Sequence, residues 1–319
     1  MSSPVSLTGV RAPVGVDTSR ASIARVYDYS LGGKDNYDVD RAAFEQILRV
    51  APQQRDVSKM NRRWLHRVAR YLAGVVGIDQ FLDIGAGLPT ACNTHEVVRE
   101  QNPCATVVYV DNDPVCIAHG QAMLARNDYT RFVPADLTKP DTVLGNYEVT
   151  GYLDFERPLG LILCGILHHV EEELDPVGIM GRYIDALPPG SYVAITHFWN
   201  PNDGSDLADL AVRLQRQFVE MGLGSGWYRT REQIMSYFGG LELITPGLVE
   251  LEEWWPMGPP VRERFPEERL MLGGVAIKKS SSVAGNPFIW RNADAQRQPR
   301  PTKPAGVTDF SISHARRAE

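Results

Sequence analysis

The chain is poor in cysteine and has no apolar run of membrane-spanning length. Its cysteines are Cys92, Cys104, Cys116 and Cys164. None forms a C-x-x-C pair, and no Cys/His cluster has zinc spacing, so a disulfide scaffold and a zinc module are both excluded and no metal site is expected. Free thiols in a reducing compartment are the expected state. A membrane helix needs about 20 apolar residues. The longest candidate, Leu159 to Val170, is interrupted by Gly160, Gly165 and a histidine pair. The first residues show neither an apolar core nor a small-residue cleavage site of a signal peptide. These absences predict a soluble, cytoplasmic chain with no membrane partner. A cationic excess is also missing: 33 Lys and Arg are scattered among 39 Asp and Glu, a formal net charge of −6. Binding driven by phosphates requires a basic patch or stripe, so no nucleic-acid partner is expected. No repeat of fixed period is found, which excludes a solenoid. The sequence carries no signal for an oligomeric state.

What is present is ordinary globular material. Hydrophobic residues make up 43% of the 319 positions, enough for a sizeable core. Residues 1–20 are rich in Ser, Pro, Val and Gly and read as a flexible arm. Residues 280–319 hold too few apolar side chains to offset the entropy of ordering and read as a disordered tail. Between them, residues 21–279 form the expected domain. Its first part, 21–78, is helical: apolar residues fall at three- and four-residue spacings over 23–31, 41–50 and 57–76, with breaks at Gly32-Gly33, Pro52 and Gly77. From 79 the pattern alternates. Strands are predicted at 80–84, 106–110, 131–134, 159–164 and 191–196, with helices at 94–101, 114–125 and 177–186. Continuous apolar strands alternating with helices predict an α/β, Rossmann-like, doubly wound sheet, mostly parallel, under an N-terminal helical cap. A helix follows at 206–221, and Thr230 with Gln233 makes a capping box for another. Strands at 241–244 and 271–278 have no helix between them. They therefore form an antiparallel pair at the sheet's end, with the latter as antiparallel last strand.

The chemistry gathers at strand ends. Phe81-Leu-Asp-Ile-Gly-Ala-Gly87 is a buried strand ending in an acid and running into paired glycines. Gly85 and Gly87 permit a tight turn and a close approach of backbone to ligand. In an open α/β sheet ligands sit at the carboxyl ends of strands, so this turn forms a pocket floor with Asp83 beneath it. The second strand ends at Asp111-Asn112-Asp113. Asp111 can accept both hydroxyls of a ribose, and Asp113 suits the cap of the helix opening at Pro114. The third strand ends at Asp136-Leu137, where an acid can accept a hydrogen bond from the exocyclic amine of adenine and Leu137 can pack on the ring. The ordered set of three acids at three successive strand ends reads as a nucleoside site.

That set resembles the class I S-adenosylmethionine-dependent methyltransferases. The resemblance implies S-adenosylmethionine as cofactor, with Gly85 and Gly87 under its methionine part, Asp111 and Asn112 at the ribose, and Asp136 and Leu137 at adenine. The fourth strand, ending at Cys164, and the following Gly165-Ile-Leu-His168-His169 complete that side of the site. A narrower resemblance covers 21–279. The runs Ala24-Arg-Val-Tyr-Asp-Tyr-Ser-Leu-Gly-Gly-Lys-Asp-Asn-Tyr37, Asn61-Arg62 and Phe81 through Thr90 are similar to the actinobacterial S-adenosyl methyltransferase family once catalogued as a domain of unknown function. It implies that the segment from Tyr27 to Tyr37 folds over the cofactor, with Lys34 or Asn36 near the methionine carboxylate. It supplies no acceptor.

Methyl transfer from a sulfonium asks the protein mainly for alignment. A general base is required only where the acceptor must lose a proton, and His168, then His169, are the candidates for it. The expected acceptor is a small molecule. The rival readings are a module that binds S-adenosylmethionine without transfer, an aminopropyl transferase, and an NAD-dependent oxidoreductase. The last is disfavoured because Thr90 stands where a nicotinamide fingerprint places its third glycine, and because Asp83 precedes the first.

Overall fold

The computed structural model describes residues 16–90, 92–123, 128–221, 223–256, 258–259 and 262–280. Among these residues the strands are β1 (Gln80–Ile84), β2 (Thr106–Asp111), β3 (Thr130–Pro134), β4 (Gly160–Cys164), β5 (Tyr192–Phe198), β6 (Glu242–Leu243), β7 (Val249–Glu250) and β8 (Met271–Ile277). They form one sheet in the order β3-β2-β1-β4-β5-β8-β6, with β7 also on β8. The first five strands are mutually parallel, and β8 runs antiparallel to β5, β6 and β7. This is the Rossmann-like sheet with an antiparallel end that strand–helix alternation predicts. Strand β7 has two residues, too few to show a period. The expected arm at 1–20 lies mostly outside the described residues, as does the tail after Ser280.

The cap comprises α1 (Ile23–Ser30), α2 (Asp38–Leu48) and α3 (Gln54–Arg70). Beyond Arg70 the helix widens into a π turn over Tyr71–Val76 and stops at Gly77, in the left-handed conformation. The other helices are α4 (Thr94–Gln101), α5 (Pro114–Met123), α6 (Pro140–Leu144), α7 (Tyr147–Tyr152), α8 (Pro176–Ala186), α9 (Asp206–Met221) and α10 (Arg231–Ser236). The capping box of α10 is the one the sequence shows: Thr230 N–H donates to Gln233 Oε1 (2.9 Å), and Gln233 N–H to Thr230 Oγ1 (3.3 Å). Helices α6 and α7 are missed by periodicity because neither completes two turns.

Strand parity decides what reaches the site. Leu82, Ile84, Leu161, Leu163, Val193 and Ile195 pack on one face with residues of α6, α7, α8 and α10. Phe81, Ile162 and Ala194 pack on the other, with α3, α4 and α9. Successive side chains alternate along a strand. Asp83, Cys164 and Thr196, two residues further along β1, β4 and β5, therefore turn toward the cap at the sheet's carboxyl edge. Trp64 of α3 is fully buried against Trp254, with ring centroids 5.7 Å apart. Burial of side chains this large contributes about 1.5–3 kcal/mol each and seats the cap on the sheet.

Ion pairing orders the cap internally. Arg25 Nε donates to Asp40 Oδ2 at 2.9 Å, and both side chains are buried. Asp40 also accepts from Ser22 N–H (3.0 Å) and Tyr37 N–H (2.8 Å), so the carboxylate ties the entry of α1 to that of α2. The turn between them closes on Asp28, which accepts from Asp35 N–H (2.9 Å) and Asn36 Nδ2 (2.8 Å).

Candidate functional site

The floor of the site is the turn after β1. Gly85 and Ala86 N–H donate to Val110 O (2.8 and 3.2 Å), which bends the chain sharply over the end of β2. Gly85 and Gly87 have φ of 71° and 69°, a region that favours glycine. A Cβ at Gly85 would lie 2.3 Å from Ile166 Cγ1, whereas one at Gly87 would meet nothing within 4 Å. Gly85 is thus fixed by packing, and Gly87 presents bare backbone to open space.

Asp111 is pinned beside that opening. Its Oδ2 accepts from Gly87 N–H (2.8 Å) and its Oδ1 from Asp113 N–H (2.9 Å). Each oxygen keeps a further lone pair for a ligand hydroxyl. Burial pushes the Asp111 carboxyl upward from its ordinary value, and the backbone donors oppose that shift. Asp113 caps α5 through Val115 N–H (2.7 Å) and accepts from the Ser22 hydroxyl at the start of the cap.

These groups line a cavity of about 310 Å³. The volume falls at the low end of the roughly 300–1,000 Å³ of small-ligand pockets. Of the residues picked out by sequence, Asp83, Gly85, Gly87, Asp111, Asn112 and Cys164 line it. Asp83 accepts from Thr94 Oγ1 at 2.7 Å, and burial raises its pKa to about 6 despite the opposing charge of Arg62. Cys164 Sγ contacts Asn61 Oδ1 at 3.3 Å, and burial pushes its thiol up to about 12, which leaves it protonated and unreactive.

The other candidates do not line the cavity. Asp136 turns back on its own loop, accepting from Thr138 N–H (2.9 Å) and Oγ1 (2.8 Å) and pairing with Lys139, and Leu137 packs on the opposite face of the sheet. Asn36 is buried against Asp28 and Arg41, and Lys34 is exposed, so the turn between α1 and α2 folds onto the cap rather than over the cavity. The two histidines lie outside this cavity as well. His168 is buried and stacked on Phe198 (3.7 Å between centroids), and burial, with His169, His197 and Arg229 nearby, drives its pKa well down. His169 Nδ1 pairs with Ser225 Oγ (2.8 Å), and burial lowers its pKa to about 3. Burial thus disfavours the protonated form of both imidazoles.

Sequence reasoning singled out Asn61-Arg62 as a family motif but gave neither residue a role at the site. Arg62, on α3, lines the cavity and donates through Nη2 to Thr90 Oγ1 (2.7 Å) and Cys92 O (3.1 Å). Asn61 accepts from Thr196 Oγ1 (2.8 Å) and donates to Tyr27 Oη (3.2 Å), joining α1, α3 and β5. A signal was available: Asn61 is a polar residue set among Val57, Met60, Trp64, Leu65 and Val68 on the buried face of α3. Arg229, buried behind the site, donates to Val170 O (2.8 Å) and Leu167 O (3.4 Å) and fixes the loop that follows β4. Among the described residues no cluster of His, Cys, Asp and Glu could hold a metal ion, and no helix is long and apolar enough to cross a membrane.

A glycine turn and a pinned acid at adjacent parallel strand ends mark a nucleotide site of the Rossmann-like α/β class. The S-adenosyl methyltransferase family matches residues 10–279, and the chain belongs to that family. Its cofactor is S-adenosylmethionine, and the nicotinamide reading is set aside. A candidate methyltransferase from Thermobifida fusca YX is 41% identical, with a TM-score of 0.79 over 84% of this chain and 98% of that one. A DUF574 family protein from Streptomyces avermitilis MA-4680 is 36% identical, with a TM-score of 0.75 over 82% of this chain and 99% of that one. No curated protein matches the chain.

Proposed function

We propose that this methyltransferase acts on a small-molecule acceptor, with its cofactor lying across the glycine turn between Asp111 and Arg62. The observation that carries this reading is one cavity joining the open backbone of Gly87, the pinned carboxylate of Asp111 and the guanidinium of Arg62. These groups fit the parts of S-adenosylmethionine. Asp111 offers two acceptor oxygens to the ribose diol. Arg62 offers charge and N–H donors to the methionine carboxylate, the role that sequence resemblance gave to Lys34 or Asn36. Asp83, at the floor, faces the cationic part, and ionisation there stabilises it. Asn112 borders the ribose side.

The bound cofactor supplies a methyl group already activated on a sulfonium. The chain's own residues bind, align and exclude water. Gly87 lets the ligand approach the backbone, and Asn61 holds α1, α3 and the strand ends in register around the transfer point. Such alignment removes most of the entropic barrier to a two-body reaction. A small acceptor is favoured because the cavity is small, about 310 Å³, and is walled by Ala21, Ser22, Ile23 and Ala24 of the cap as well as by the strand ends.

The test is turnover with methyl-labelled S-adenosylmethionine and a whole-cell extract divided into small-molecule and macromolecular fractions. Label should enter the small-molecule fraction with matching release of S-adenosylhomocysteine. Label confined to protein or nucleic acid contradicts the acceptor class.

A further inference from the structure

A second pocket, of about 50 Å³, lies between the cap and the sheet. It shares Ile23, Tyr27, Asn61, Gly165 and Leu223 with the cofactor cavity, so the two adjoin. Its walls are chiefly apolar, with Val26, Phe44, Val57, Phe198 and Met271 among them. From α3 it takes Gln54, Val57, Ser58 and Asn61, whose i, i+3, i+4, i+7 spacing is one face of a helix. That face leads from Asn61, where the two spaces meet, to Gln54, which does not line the cofactor cavity.

Most polar groups on this lining are committed or sealed. Ser30 Oγ donates to Tyr27 O (2.6 Å) and contacts Ser58 Oγ (2.8 Å). Tyr27 Oη donates to Ser58 O (3.2 Å) and accepts from Asn61 Nδ2 (3.2 Å), and Asn61 Oδ1 accepts from Thr196 Oγ1 (2.8 Å). His168 Nδ1 has no partner, but it is sealed and offers no surface to a ligand. Gln54 differs. Its side-chain amide has no hydrogen-bond partner among the described residues, yet neither amide atom is sealed. The residue is 4% exposed, so the surface left to it borders the pocket.

A buried amide without a partner is costly, and a ligand group that pairs with it is favoured. The amide sets a carbonyl acceptor beside an NH2 donor, so its best match donates and accepts at once. Volume limits the size: a 150 Å³ apolar cavity holds benzene, so about 50 Å³ admits an end group of roughly two or three heavy atoms. Charge is excluded by the lining. Among the described residues no Asp, Glu, Lys or Arg lines the pocket, and an ion there would lose its hydration with no counter-charge.

We propose that this pocket is a recognition subsite for the acceptor, taking a compact uncharged end group that both donates and accepts hydrogen bonds, a carboxamide fitting best, on the side-chain amide of Gln54. The proposal rests on the adjoining cavity being the cofactor site. Gln54 selects the acceptor and takes no part in the transfer, since it stands two helical turns from Asn61, where the pocket meets that cavity. The group it holds is therefore not the one that receives the methyl.

The full chain, saturated with S-adenosylhomocysteine, is titrated with formamide, formate and formamidinium. The side-chain NH2 signals of Gln54, assigned through its backbone, and the backbone amides of Ser58 and Asn61 are followed by NMR. The three probes are planar and equal in heavy atoms, and they differ in charge. Formamide should shift these signals saturably, and the two ions should not. Gln54→Met, which keeps the length and removes the amide, should weaken formamide binding by about tenfold, the upper range for one hydrogen bond, with affinity for S-adenosylhomocysteine retained. Gln54→Glu should reverse the order and prefer formamidinium. No saturable response to formamide, an equal response to either ion, or unchanged formamide binding in Gln54→Met overturns the proposal. If the variants fail to fold, the wild-type titration decides alone. Calorimetry of S-adenosylhomocysteine on the same sample separates the two readings: absence of that binding overturns the cofactor assignment, and binding without a formamide response overturns only the subsite.

Discussion

The two walls of the site are built by different means. The strand-tip wall, formed by the ends of β1 and β2, is backbone and carboxylate: glycines at positive φ, a pinned Asp111, and a buried Asp83 whose pKa is raised to about 6. The cap wall, formed by α1, α3 and the loop after β4, is side chain: Tyr27, Asn61, Arg62 and a neutral His168. The first wall is set by local geometry, since a short turn fixes every group on it. The second depends on tertiary packing, since its residues lie on α1, on α3 and beyond β4 and meet only when the cap is seated. The strand-tip wall suits recognition of an invariant cofactor, and the cap wall suits selection of a particular acceptor.

If this division is right, substitutions on the two walls differ in kind. Gly85→Val adds a branched side chain at positive φ and into Ile166. Strain and overpacking together predict a loss of about 2–5 kcal/mol in urea unfolding, with cofactor binding lost as well. Preserved stability would show that the turn is not fixed by packing. Arg62→Met should weaken S-adenosylmethionine binding by about 1.5–3 kcal/mol, the range for a hydrogen bond to a charged group. An S-adenosylmethionine affinity unchanged in calorimetry would remove the carboxylate role.

The pH response should separate Asp83 of the strand-tip wall from His169, buried behind the cap wall, by sign. His169 is held at about 3 by burial, against 6.5 in an unfolded chain. The unfolded state then binds the extra proton between those values, so the contribution of His169 to stability is full above pH 6.5 and is lost as pH falls toward 3. Asp83 is held up at about 6 by burial, against 3.8, so the folded state keeps the extra proton and its contribution is lost as pH rises from 3.8 to 6. His169→Gln should therefore lose less stability than the wild type between pH 7 and 5, and Asp83→Asn should lose more. Urea midpoints at the two pH values decide, and shifts of the same sign in both variants would contradict the assignment. Smallest of all, Lys34→Ala should change stability and cofactor affinity by less than about 0.5 kcal/mol, as expected for an exposed side chain away from the cavity. A larger loss of affinity by calorimetry would return the turn between α1 and α2 to the site.

The strand-tip wall could be read from sequence because its determinants are contiguous. A buried run ending Asp-Ile-Gly-Ala-Gly and a β-branched run ending in Asp111 state both the strand and its chemistry. The antiparallel end of the sheet was also readable, since among the described residues between 244 and 271 there is no α-helix, only two short 3-10 turns. Asp136 shows where such reading stops. Position in the strand order is visible in sequence, but whether a carboxylate faces a ligand or its own turn depends on Thr138 and Lys139 two and three residues on. The histidines show the same limit. Their place after β4 is evident, while the low basicity of His168 comes from burial under Phe198 with His197 and Arg229 nearby, which are distant in sequence. Arg62 needed the seated cap, because only the packing of α3 on the sheet brings its guanidinium to Thr90.

The ribose contact is the measurement on which the cofactor assignment turns. S-adenosylhomocysteine and its analogue lacking both ribose hydroxyls are titrated into the wild type and into Asp111→Ala. The wild type should bind the analogue more weakly by about 1–3 kcal/mol, and the variant should bind the two ligands alike. An equal penalty for the analogue in both proteins would show that Asp111 does not hold the ribose.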